Sequence, residues 1–134
     1  MLYLALFLAS LANVVAGLGL AGLYFRFRAG GGVPVIVLLI AVSLFVQGAF
    51  TIGYVRGWWR QLGDRATQLF VAGESAAALV GTLGTLQGIL YNLHPRNGDY
   101  EFGPLMAAML MGTQAAVGLI YAARNGEFGV REKA

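Results

Sequence analysis

Four long apolar runs alternate with short polar stretches along the chain. Crossing the hydrocarbon core as a helix takes about 20 apolar residues, and each run is long enough. The first covers 2–25 and is closed by Arg26 and Arg28. A turn at Gly30-Gly31-Gly32 leads to Val33-Pro34, which opens a second run over 33–55. Pro34 suits a helix start, because its missing N–H would be unpaired there. The stretch 56–74 is polar, with Arg56, Arg60, Gln61, Asp64, Arg65, Gln68 and Glu74 set among Trp58, Trp59, Leu62, Leu69 and Phe70. Tryptophan beside arginine is the dressing of a membrane–water boundary. The pattern predicts helical extensions there and a turn near Gly63 or Gly73. A third span over 75–93, a loop from His94 to Glu101, a fourth span over 103–123 opened by Gly103-Pro104, and a polar tail from Arg124 complete the chain.

Composition agrees with the pattern. Of 134 residues, 58% are hydrophobic and 11% charged, against about 25% charged in a soluble domain. A small chain is mostly surface and cannot hide that much apolar material inside itself. A soluble globule, a disordered tail and a secreted scaffold are excluded, and the absence of cysteine removes disulfides and thiolate metal sites. The fold class expected is all-α: one polytopic domain of four transmembrane helices. Val14-Val15-Ala16 before Gly17 could pass for a signal cleavage site. The start Met1-Leu2-Tyr3 has no basic residue, however, and the apolar run continues to Phe25.

The net charge of +3 does not signal nucleic acid, because the basic residues stand singly between spans rather than in a stripe. Four spans place both termini on one side, with Arg56, Arg60, Arg65, Arg124, Arg131 and Lys133. Arg26, Arg28 and Arg96 fall on the other. The positive-inside bias then puts both termini in the cytoplasm.

Span 75–93 starts just after Glu74, so no charged side chain is expected inside a span. Polar groups are present: Asn13, Ser43, Gln47, Thr51, Thr82, Thr85, Gln87, Thr113 and Gln114. Their default role is hydrogen bonding across helices or to their own carbonyls. Ala77, Gly81 and Thr85 recur four apart, as do Gly84 and Gly88, and Ala108, Gly112 and Ala116 repeat the device in the fourth span. Stripes of small residues let backbones approach closely, so a tightly packed helix pair is expected.

Leu79-Val80-Gly81-Thr82-Leu83-Gly84-Thr85-Leu86-Gln87-Gly88-Ile89 resembles the third-helix signature of the MotA/TolQ/ExbB proton-channel family. Gly103-Pro104-Leu105-Met106-Ala107-Ala108-Met109-Leu110-Met111-Gly112-Thr113 is similar to its next helix, with Gly112 standing for the first of a threonine pair. The resemblance covers about 75–123. It implies a homo-oligomer in a bacterial inner membrane, a pentamer, whose last two helices line a central pore entered by a single-span partner bearing an intramembrane aspartate. Thr85 and Thr113, with Thr82, Gln87 and Gln114, would then line the proton path, and proton flow would drive motion of the partner. The family's large cytoplasmic domain has no counterpart in 56–74.

The alternative is a structural module that packs against or assembles another membrane subunit without ion flux; a lysis pore is a third reading. No cofactor is expected. His94, Asp99 and Glu101 share a loop but make a poor metal site. Gly17 to Gly22 lacks the strand and spacing of a dinucleotide loop. With no nucleophile–base pair in sight, enzymatic chemistry is not expected. Glu74 reads as a helix N-terminal charge favourable to the dipole, or as an acid at the inner pore mouth.

Overall fold

A computed structural model describes residues 2–27, 35–94 and 102–125. Its four helices are α1 (Leu2–Phe27), α2 (Val35–Arg56), α3 (Asp64–Leu93) and α4 (Gly103–Arg124). All four are long and apolar enough to cross a membrane. The fold is all-α, with no strand among the described residues. The triple-glycine turn, most of the loop after His94 and the polar tail lie outside the described residues.

The inward faces show how such a chain holds together in lipid. Those of α1 (Leu6, Ser10, Asn13, Gly17) and α2 (Ala41, Leu44, Gly48, Thr51) are mostly small or polar. Leu4, Leu8, Leu11, Val15, Leu39, Val42 and Val46 point outward. Lipid tails are as apolar as leucine, so burying leucine between helices gains little; close packing and hydrogen bonds supply the association instead.

Two antiparallel hairpins result. In α1 and α2, Gly17 lies against the backbone of Ala41 and Phe45, and Gly48 against the Ser10 carbonyl and Val14. In α3 and α4, a Cβ on Gly81 would stand 2.6 Å from the Gly112 nitrogen. Gly84 faces Ala108 and Gly88 faces Leu105, so the α3–α4 register runs steadily antiparallel. Five of the seven predicted packing residues, Gly81, Gly84, Gly88, Ala108 and Gly112, thus meet in one seam. Ala77 is half-buried and Ala116 is exposed. The α1–α2 glycine seam is an equal partner that the spacing argument did not single out.

The hairpins join chiefly through α1 and α4, whereas α2 and α3 touch little. The connection between α2 and α3 turns at two positive-φ glycines, Gly57 (φ 79°) and Gly63 (φ 57°), around a 3₁₀ turn at Arg60–Leu62. Trp59 folds back on α2: its Nε1 donates to the Phe50 carbonyl at 3.0 Å and its ring stacks on Phe50 at 5.7 Å. Gly53 leaves the room, since a Cβ there would meet the Trp59 indole at 2.6 Å.

Candidate functional site: a polar cluster between the helices

The helix begun at Asp64 runs unbroken through the rest of the polar stretch and on into the third span. Gly63 is the turn and Gly73 sits in mid-helix. The reason is a one-sided pattern: Ala66, Phe70 and Glu74, four residues apart, all face inward and are buried, while Arg65, Gln68 and Leu69 face out. Two expectations are thereby corrected. Glu74 lies ten residues past Asp64, so the N-terminal dipole position belongs to Asp64. A charged residue type does sit inside the bundle: Glu74 is 3% exposed.

All four helices contribute to the cluster around it. Gln114 of α4 is eleven residues from Gly103 and ten from Arg124, about 15 Å from either helix end at 1.5 Å per residue. Its Nε2 donates to Glu74 Oε1 at 2.9 Å, to Thr51 Oγ1 at 2.9 Å and to the Gln47 carbonyl at 3.2 Å. Thr51 of α2 spends its hydroxyl proton on Glu74 Oε1 at 3.0 Å. From α1, Asn13 Nδ2 donates to Gln114 Oε1 at 2.8 Å and to Gln47 Oε1 at 3.1 Å. Gln47 Nε2 donates to the Met111 carbonyl at 3.1 Å. Donation thus runs from Asn13 through Gln114 and Thr51 and converges on Glu74 Oε1.

The groups bonded to Glu74 are neutral, and among the described residues it is the only buried acid or base. Glu74 Oε2 and Asn13 Oδ1 are buried with no protein hydrogen-bond partner. Gly118, one turn beyond Gln114 on α4, makes room for the carboxyl: a Cβ there would stand 2.9 Å from Oε2. Gly118→Ala should therefore displace Glu74 and lower stability by about 1–3 kcal/mol. In a Glu74→Ala background the same change should cost much less. A double-mutant cycle of thermal unfolding in detergent measures that coupling.

One turn from Glu74 toward the termini, three rings close the bundle. Phe70, 1% exposed, stacks on Tyr54 at 4.3 Å and meets Tyr121 edge-on at 6.4 Å. The Tyr54 hydroxyl pairs with Thr67 Oγ1 at 3.1 Å. In the other direction the gap between α2 and α3 leaves a groove. Its lower part, about 650 Å³, is lined by Val46, Phe50, Ala77 and Val80, with Glu74 and Gln47 as polar lining. Val80 and Met111 are shared with an upper part of about 420 Å³ that reaches Gln87 and Tyr91.

Of the five residues expected on a proton path, Gln114 alone joins this cluster, and it faces the interior of the single chain. Thr82 and Thr113 are exposed on the outer surface, Gln87 is exposed in the upper groove, and half-buried Thr85 donates to its own Gly81 carbonyl at 2.6 Å. Ser43 likewise donates to its own Leu39 carbonyl. Asn13 and Thr51, by contrast, bond across helices. Of the loop residues His94, Asp99 and Glu101, only His94 is described, as an exposed residue at the end of α3. No protein-family model, curated protein or solved structure matches the chain.

Proposed function

We propose that this chain is a proton-conducting membrane subunit in which Glu74 takes up and releases the proton. One observation carries the reading: a carboxyl buried between four membrane-crossing helices, bonded only by neutral groups, with one oxygen unpartnered. Ionisable groups at membrane depth are expensive and mark ion pathways and proton relays. Thr51 is the neighbour able to pass a proton, because a hydroxyl both donates and accepts. The amides of Gln114, Gln47 and Asn13 keep their protons and orient the carboxyl.

The resemblance to proton-channel subunits supports the same class of activity. It assigns the acid to a single-span partner, whereas here the chain supplies its own. A homo-oligomer in a bacterial inner membrane, with termini in the cytoplasm by the arginine bias, remains part of the proposal. So does coupling of the flow to motion of a partner. The test is proton flux into liposomes holding this protein alone under an imposed gradient. Flux well above that of empty liposomes is expected, and none would refute conduction by the chain itself.

A second reading, a structural module, is favoured by the same cluster, because one buried residue, Gln114, hydrogen-bonds to groups on the other three helices. It predicts no flux and makes Glu74 replaceable by any neutral residue that accepts the same two bonds.

A further inference from the structure

We propose that the α2–α3 connection binds the headgroup phosphate of an anionic phospholipid, held by Arg56, Arg60 and Arg65. All three arginines are exposed. Among the described residues none of them is ion-paired, and neither is Asp64, the only acid within 56–65. The helices themselves do not account for this placement. A basic side chain suits the last turn of a helix, as Arg56 does in α2, and opposes the dipole in the first turn. Arg65 stands in the first turn of α3, at the unfavourable end. Arg60 folds back rather than out: a Cβ on Gly57 would meet its Nε at 2.8 Å, so its guanidinium lies against the residue that follows Arg56. Three positive charges thus face one negative across a short turn. Such a surface is completed by an anion from outside the chain, and the guanidinium fork matches phosphate oxygens.

Depth identifies the source of the phosphate. Trp59 is pinned on Phe50, whereas Trp58 beside it points outward and is 58% exposed. The favourable place for an exposed tryptophan is the membrane–water interface. Leu62 and Leu69 are outward as well. Leu69 lies about one 5.4 Å turn of α3 from Arg65, on the membrane side. Arg65 therefore stands just above lipid-facing surface, at headgroup level. A soluble anion would meet the arginines and leave Trp58 and Leu62 bare. A phospholipid meets both, its phosphate on the arginines and its glycerol and upper chains on the apolar side chains. Basic residues at this level attract anionic lipid. Arg26, near the other end of the bundle, differs: its guanidinium rests on the Phe27 ring at 5.4 Å.

Trp58 serves as the reporter. Full-length protein is placed in phosphatidylcholine bilayers with a rising fraction of phosphatidylglycerol brominated near the top of its chains, so that bromine contact quenches tryptophan emission. Brominated phosphatidylcholine gives the reference. Phosphatidylglycerol is expected to bind at least about fivefold more strongly, the contribution of one arginine near an anionic surface, and added salt should shrink the preference. Replacing Arg56, Arg60 and Arg65 together by glutamine should bring the two lipids level. Each single replacement should lower the preference part-way, so the outcome does not hang on the triple variant folding. Arg26→Gln should leave it unchanged. Equal binding of the two lipids, an undiminished preference in the triple variant, or an equal loss in Arg26→Gln would overturn the proposal. So would suppression of the preference by an equal concentration of free glycerol phosphate, which would make this a site for soluble phosphate instead.

Discussion

Proton flux through the reconstituted protein is expected to fall to the liposome background when Glu74 is replaced by glutamine, while the helices stay folded. Glutamine keeps the shape and a carbonyl oxygen able to accept from Thr51 and Gln114, so the bonds now made to Oε1 survive. Its new N–H₂ group takes the place of an oxygen that has no partner, and a buried unpaired donor costs about 1–3 kcal/mol. Melting should therefore drop modestly. Flux should drop entirely, because the buried face of the described helices holds no other acid or base. Glu74→Asp keeps the chemistry but retracts the carboxyl by one methylene, so reduced, measurable flux is expected. The same assay separates two routes. With a path inside the chain, Thr113→Leu changes an exposed outer position and leaves flux intact; with a pore between copies, it blocks flux. Rates from a pH-sensitive dye trapped in the liposomes decide.

Gln114→Leu is expected to cause the largest loss of stability of any single change in the cluster. Leucine matches the volume closely, so packing is not the main loss. What goes is the junction: three donated contacts, to Glu74, Thr51 and the Gln47 carbonyl, and one accepted from Asn13. Side-chain hydrogen bonds between membrane helices average about 0.6 kcal/mol each, so four contacts suggest about 2–3 kcal/mol. Asn13 retains Gln47, and Glu74 retains Thr51, which caps the loss. Thermal unfolding in detergent followed by circular dichroism measures it. A melting temperature equal to wild type would mean that the network does not tie the hairpins together.

The four spans were legible because period and length suffice to find a helix in lipid. The small residues of α3 and α4 were legible as a seam, and Gly81 against Gly112 realises it. The start of α3 was not. Polar residues between Arg56 and Glu74 suggested water, yet Ala66, Phe70 and Glu74 at four-residue steps were already an inward stripe with Arg65 and Gln68 outside it. Reading that period through the polar stretch would have put Glu74 inside the bundle. Gln114 stands out in the sequence as a polar residue in mid-span, but spacing on one helix does not say which neighbours it meets. Gly118 carried no signal of its own, because only the carboxyl packed on it shows why the position is bare.

On the proposed reading, Glu74 gains and loses a proton inside the membrane. The most direct measurement is the carboxyl carbon signal of ¹³C-glutamate-labelled protein in lipid bilayers, followed by solid-state NMR from acid to alkaline pH. Subtraction of the Glu74→Gln spectrum assigns the Glu74 signal. This signal is expected to move between the acid and carboxylate positions. A signal fixed at one position across the whole pH range would contradict it.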